Sequence, residues 1–274
     1  MSPASDQTAQ HDGTKAAMGG LVLCPLDLDQ PGLKILDSGT GDGYWLQDLL
    51  ATFPRLRDGT LVGTDVTAAK FPENGVQPPI SLQIQSITQP WPPEWKHSFD
   101  LVHQRLVLGA CGNFPYETAI RNLAKLVKPG GWIQLVEPDQ TCGVQDGPAM
   151  RDFIALVTWV FERMGGHARY AYHVKQWLQD AGVVDVEERS IPNFLGALVP
   201  DADLARRTAR WTADAMMPLL KYTQAYDGPT PIPRKELQTL VLRLHEELLT
   251  RGGLYPLRVL YGRMPLTQEQ ESVD

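Results

Sequence analysis

The stretch "KILDSGTGDGYWL", Lys34 to Leu46, decides the reading of this chain. An apolar run carrying one acid, Asp37, leads into glycines at 39, 41 and 43, and Tyr44-Trp45-Leu46 opens a segment of helical character. A strand that ends in glycines and turns into a helix makes a cradle for an anion or a ribose. Bare glycines let a ligand touch the main chain, and the helix start presents unpaired N–H groups. Dinucleotide sites favour G-x-G-x-x-G, whose third glycine lets the helix pack closely. Here Tyr44 stands at the third-glycine position, and a bulky ring fits that role poorly. Asp42 inside the loop would also lie against a pyrophosphate, which is electrostatically unfavourable. A ligand with no phosphate and a positive centre removes both objections.

Working outward, the chain alternates strand and helix patterns, as a parallel sheet with crossover helices requires. "LKILDSG" reads as the first strand and "GYWLQDLLATFP" as its helix, stopped near Pro54. "GTLVGTDV", "SLQIQSIT" and "SFDLVHQR" read as the next three strands. "NFPYETAIRNLAKLVKPGG" reads as a helix ended by Pro-Gly-Gly, and "WIQLVEPD" as the fifth strand. Two helices, "AMRDFIALVTWVFERMG" and "HVKQWLQDAG", precede two late strands, "VDVEERSIPNF" and "LYPLRVLYGRMP". Between those strands lie two patterns of helical spacing, "DADLARRTARWTADAMMPLLKYTQAY" and "RKELQTLVLRLHEELLTRGG". This insertion, about residues 200–252, is either a lid over or one wall of a pocket, or else plain packing or a dimer face. The first sixteen residues are polar and small, and are expected to be disordered or loosely helical.

Composition narrows the function classes. Hydrophobic residues make up 43% of the chain and charged residues 21%, an ordinary balance for a globular core. The net charge of −7 comes without the basic stripe that nucleic-acid binding needs, so no nucleic-acid partner is expected. Arg206, Arg207 and Arg210 read as a solvated helix face. No window approaches the ~18 apolar residues of a membrane span, and the start carries no apolar export signal, so a cytoplasmic protein without a membrane partner is expected. Cys24, Cys111 and Cys142 lack C-x-x-C spacing and read as reduced, buried thiols. No His, Cys and carboxylate set has metal-ligand spacing, so no metal is expected.

"ILDSGTGDG" resembles the D/E-x-G-x-G-x-G signature of class I S-adenosylmethionine (SAM)-dependent methyltransferases, and SAM's sulfonium and ammonium suit nearby acids. In order along the chain, "PGLKILDSGTGDGYWLQDL", "VGTD", "WPPEWKHSFDLVHQRL" and "LAKLVKPGGWIQLVEPD" resemble fungal secondary-metabolite methyltransferases of the gliotoxin-cluster N-methyltransferase and UMTA type. LaeA-type regulators are more distantly similar. The resemblance implies an α/β fold with a doubly wound, Rossmann-like seven-stranded sheet, mostly parallel with the last strand antiparallel, and a helical insertion before that strand. It implies a cap segment over residues 1–30 and a SAM-binding domain over 31–274. The expected activity is methyl transfer to O or N of a small, largely apolar secondary metabolite. Two alternatives stay open: a SAM-bound cyclase that transfers no methyl group, and a regulator acting through protein partners.

The same resemblance implies the site. Gly39, Gly41 and Gly43 shape the loop around the methionine and ribose portions of SAM, with Ser38 and Thr40 in the same cofactor site. Asp37 orients the loop or hydrogen-bonds the cofactor's ammonium, a satisfied structural aspartate being the competing reading. Asp65, with Val66 after it, falls where the family places an acid on the ribose hydroxyls, and a carboxylate accepts from both hydroxyls at once. Ser86 and Ile87 fall beside the adenine. His103, Gln104 and Arg105 end the fourth strand beside the methionine moiety and the transfer site. Trp45 walls the methionine chain or packs in the core. His103 is the titratable group best placed to take a proton, with a hydrogen-bonded structural histidine as the competing reading. Glu137 is a pocket acid or an acid satisfied by neighbouring N–H groups. Trp159, Phe161, Met164, Trp211, Met216, Met217 and Tyr222 supply an apolar pocket or ordinary core.

Overall fold

The computed structural model describes residues 6–140 and 147–266, so Cys142 lies outside the described residues. It divides into two compact units, one built on a sheet (residues 21–137, 170–189 and 258 onward) and one mostly helical (up to residue 20, then 138–169 and 190–257).

The sheet unit rests on β1 (Lys34–Ser38), β2 (Thr60–Asp65), β3 (Ile80–Ile84), β4 (Phe99–Arg105), β5 (Val127–Pro138), β6 (Val184–Ile191) and β9 (Leu257–Arg263), in the order β3-β2-β1-β4-β5-β9-β6. The short strands β7 (Phe194–Leu195) and β8 (Gly253–Leu254) form a separate antiparallel pair. The pairs β1–β2, β1–β4, β2–β3 and β4–β5 are parallel. The late strands β6 and β9 run in opposite senses: Arg263 pairs with Asp185 and Arg258 with Glu188, so numbers rise along one strand as they fall along the other. This is the expected seven-stranded, mostly parallel sheet with its last strand antiparallel.

Period-two alternation explains why both faces are covered. Ile35, Leu61 and Leu101 share one register row and one cluster, with α2 (Tyr44–Thr52) supplying Trp45, Leu46 and Leu49. Leu36, Val62, Val102 and Ile133 share the next row and the opposite cluster. Onto that face α3 (Tyr116–Ala124) turns Tyr116, Ala119, Ile120 and Leu123, and α5 (Val174–Asp180) turns Val174 and Leu178. One row further along the strands the side chains become polar: Asp37 stands beside His103, and His103 beside Gln134. The carboxyl ends of β1 and β4, where the strand order reverses, therefore carry buried polar groups, and open α/β sheets bind ligands at such a reversal.

The Pro-Gly-Gly expected to end the helix read over residues 113–131 lies within strand β5 instead, because α3 stops at Ala124. The β4–β5 register shifts between Phe99 and Leu101, and Gly130 takes φ 76° there. A bulge of this kind is a natural place for glycines in a strand.

In the helical unit, α1 (Asp6–Met18) is a helix of 13 residues, where the composition left disorder open. It lies close against α6 (Ala202–Asp214): a Cβ on Gly13 would come within 3.0 Å of Thr208, and Asp12 pairs with Arg207 at 2.7 Å. The insertion forms α6, α7 (Met217–Gln224), α8 (Arg234–Leu237) and α9 (Leu240–Thr250). Pro218 in the first turn of α7 starts a new helix where the sequence pattern reads as continuous. With α4 (Pro148–Arg163), these helices bury Phe153, Leu156, Val160, Met216, Leu240, Leu244 and Leu248 in one cluster. Glu247 caps the start of α4, accepting from Ala149 N at 2.9 Å and Met150 N at 2.8 Å. No described helix is long and apolar enough to cross a membrane.

Candidate active site

The glycine loop leaves β1 in left-handed conformations, with φ 75° at Gly39, 61° at Gly41 and 77° at Gly43. Side chains other than glycine rarely adopt such angles. Gly39 has a second reason to be bare, because a Cβ there would overlap a methyl group of Val107. The loop is tied to β2 by Gly39 N and Thr40 N, which donate to Thr64 O at 2.7 and 2.8 Å. It is tied again by Gly41 N, which donates to Asp65 Oδ2 at 2.9 Å. Asp65 Oδ1 accepts no hydrogen bond from the described residues, so this carboxylate keeps one oxygen fixed and one open. Asp42 Oδ1 accepts from Tyr44 N at 3.1 Å at the start of α2.

Asp37 faces inward. Its Oδ1 meets His103 Nδ1 at 2.8 Å and its Oδ2 accepts from Thr40 Oγ1 at 2.7 Å, with both acid and imidazole buried. The His103 ring is stacked on Trp45, centroids 3.9 Å apart and planes within 3°. Burial holds the imidazole below its usual pKa, against the opposing pull of Asp37. Ser38 Oγ donates to Gln104 Oε1 at 3.1 Å, both residues fully buried. Burial also pulls the Arg105 guanidinium below its usual range, while Asp37 and Asp42 act the other way. The structure thus gathers Asp37, Ser38, Thr40, Trp45, His103 and Gln104 at the carboxyl ends of β1 and β4.

The other expected residues stand on or just past β2 and β3. Val66 is 67% exposed and Ile84 65% exposed, each at or just past a strand end, a solvent-facing apolar pair beside Asp65. Ser86 Oγ lies 2.9 Å from Thr88 Oγ1, and Ile87 is buried in the sheet core. Among the apolar candidates, Met216 is fully buried, and Trp159, Phe161 and Tyr222 pack partly buried on the helical core. Trp211 is half-buried, and Met164 and Met217 are exposed. Burial pushes the thiols of Cys24 and Cys111 up to about 12, as inert core cysteines require. Among the described residues no cluster of His, Cys, Asp or Glu could hold a metal ion.

Sequence reasoning missed Val107, while Glu137 takes the second of its two expected roles, an acid satisfied by N–H groups. Leu106, past the end of β4, takes φ 58°, unusual for leucine. Glu137 Oε1 accepts from Val107 N at 3.2 Å and Leu108 N at 3.1 Å, and its Oε2 accepts from Tyr170 OH at 2.8 Å. No local pattern in the sequence announces a contact between residues 30 positions apart. The "HQRLV" run gives no turn signal either, because its left-handed residue is not a glycine.

A sheet of this order, with a glycine loop at the point where the strand order reverses, is the α/β architecture that binds ligands at the carboxyl ends of its strands. A family model described as a methyltransferase domain matches residues 10–188, and the chain belongs to that family. The N-methyltransferase sirN of Leptosphaeria maculans is 38% identical over 258 residues, covering 93% of this chain and 89% of its own. The N-methyltransferase gliN of Aspergillus fumigatus is 34% identical over 265 residues, covering 93% and 91%. A phosphoethanolamine N-methyltransferase of Haemonchus contortus, solved with S-adenosyl-L-methionine, shares the fold at a TM-score of 0.53 and 11% identity, over 95% of this chain and 57% of that one. The protein is a SAM-dependent methyltransferase.

Proposed function

We propose that residues 37–43 and Asp65 hold SAM and that the acceptor is a nitrogen of a small, largely apolar metabolite. The observation that carries the cofactor assignment is Asp65, whose Oδ2 is engaged by Gly41 N at 2.9 Å while Oδ1 stays open for a ribose hydroxyl. The left-handed glycines keep the loop bare, and exposed Val66 and Ile84 offer an apolar rest for a flat ring. Several relatives are named N-methyltransferases, which supports nitrogen over oxygen as acceptor.

Bound SAM supplies an electrophilic methyl group on a sulfonium. The protein's part is to align the acceptor with it in a dry site, and positioning of this kind is worth roughly 7–11 kcal/mol. The Asp37 bond, the stack on Trp45 and the burial of His103 support a positioning role for this histidine in place of proton abstraction. A neutral imidazole held this way fixes Asp37 and, through Thr40, the loop.

Calorimetry tests the assignment. Asp65→Ala removes both the ribose acceptor and the Gly41 tether, two bonds to a charged group worth about 1.5–3 kcal/mol each. SAM affinity should fall by about a hundredfold or more. Unchanged affinity would remove Asp65 from the site, and binding of NAD in place of SAM would overturn the cofactor itself. Mass spectrometry with methyl-labelled SAM and small amines then reads the acceptor, with label on carbon or oxygen arguing against nitrogen.

A further inference from the structure

Val107 and Glu137 stand outside the group assigned to the cofactor, yet Val107 meets the glycine loop directly. Its methyl fills the space where a side chain on Gly39 would be. What holds Val107 there is a turn with a cost: Leu106 sits at φ 58°, and strained residues persist only where their surroundings over-determine them. On one side Leu106 N donates to Val136 O at 2.8 Å. On the other, Val107 N and Leu108 N converge on Glu137 Oε1. Tyr170 OH occupies the second oxygen, so both oxygens are engaged. Glu137 is fully buried, and a buried carboxylate needs such donors to persist.

We propose that Glu137 is a positioning residue for the cofactor loop, its carboxylate holding the Val107–Leu108 turn so that Val107 wedges against Gly39. This rests on the cofactor reading above. Burial pushes the Glu137 carboxyl up to about 7, against the pull of the Leu108, Tyr170 and Val107 donors. The titratable groups facing it are Tyr170, whose hydroxyl donates to Oε2, and Cys111, whose thiol burial pushes up to about 12. Hydrogen bonds to an ionised acceptor are roughly twice as strong as neutral ones. Ionisation costs the fold its burial penalty overall, yet it strengthens the bonds that Val107 N and Leu108 N donate, so the turn itself is tied more tightly above pH 7 than below it and cofactor affinity should follow.

The test is the affinity of the full chain for SAM and for S-adenosylhomocysteine, measured by calorimetry at pH 6 and pH 8. The wild type should bind both cofactors several-fold more tightly at pH 8. Glu137→Gln resembles the protonated acid. It should lose about tenfold at pH 8 for both ligands and show little change between the two pH values. Val107→Ala removes the wedge and should also lose affinity and pH dependence. It leaves the carboxylate untouched, so it carries the test if the glutamine variant fails to fold. The proposal is overturned if Val107→Ala keeps wild-type affinity and pH dependence. It is also overturned if Glu137→Gln weakens SAM but not S-adenosylhomocysteine, which would mean that the charge acts on the sulfonium directly. A wild type that binds neither ligand would instead sink the cofactor reading.

Discussion

The carboxyl ends of β1 and β4 are built from polar side chains sunk out of solvent: Asp37 bonds His103 and Ser38 bonds Gln104, each pair about 3 Å apart. The core of the helical unit is built from side chains with no hydrogen-bonding group, such as Leu156, Leu240, Leu244 and Leu248. The first arrangement depends on direction, because a hydrogen bond weakens steeply when its geometry is lost. The second depends on volume, because a dispersion contact has no preferred direction. A substitution at the sheet ends should thus be read mainly in ligand binding, and one in the helical core mainly in stability.

The largest expected effect tests the volume side. Leu244→Ala empties a fully buried position and should cost about 2–5 kcal/mol of unfolding free energy, read in denaturant titration. A loss well under ~1 kcal/mol would mean that the helical core relaxes around the gap. Next comes a pH test of the polar side. Glu137 is raised from 4.5 to about 7, so its contribution to stability is complete below pH 4.5 and is lost as pH rises through 7. By linkage this amounts to about 3 kcal/mol. Glu137→Gln should flatten that fall between pH 5 and pH 8, and parallel wild-type and variant curves would contradict the assigned burial cost.

Gly39→Ala should separate binding from folding. The left-handed angle costs roughly 1–2 kcal/mol, and the overlap with Val107 adds to it. SAM affinity should fall by tenfold or more, and pairing the change with Val107→Ala should recover part of the loss. The smallest effect is expected from Glu247→Gln, which leaves one of two N–H groups at the start of α4 without an acceptor. Helix-start losses of this kind run about 0.5–2 kcal/mol. A thermal shift larger than that of Leu244→Ala would break the contrast between the two units, since direction would then outweigh volume in the helical core as well.

Much of the sheet unit was legible from residues. The middles of β1 and β4, Ile35-Leu36 and Leu101-Val102, are apolar on both faces because both faces are covered, and such a pair of neighbours marks a doubly covered strand. The Gly39, Gly41 and Gly43 spacing marked the loop because only glycine readily accepts its angles. The helical unit was less legible. The polar start of the chain hid α1, whose Asp12 finds its partner in α6 195 positions away, and helices of this length draw their stability from tertiary packing. The α6–α7 break was visible only as Pro218. The Pro-Gly-Gly of residues 129–131 belongs to a strand because a bulge near Phe99 takes it in.

The sequence alone determined the alternation of strands and helices, the glycine loop, and the acids at 37 and 65, because each of these is written in a local pattern of period, spacing or side-chain type. Tertiary structure decided where those acids point. Asp37 turns inward to His103 and Thr40, Asp65 keeps one oxygen open, and Glu137 reaches back to the turn after β4. Contacts such as Glu137 with Val107, 30 positions apart, or Asp37 with His103, 66 apart, follow from strand register. Register is set by how the whole sheet packs.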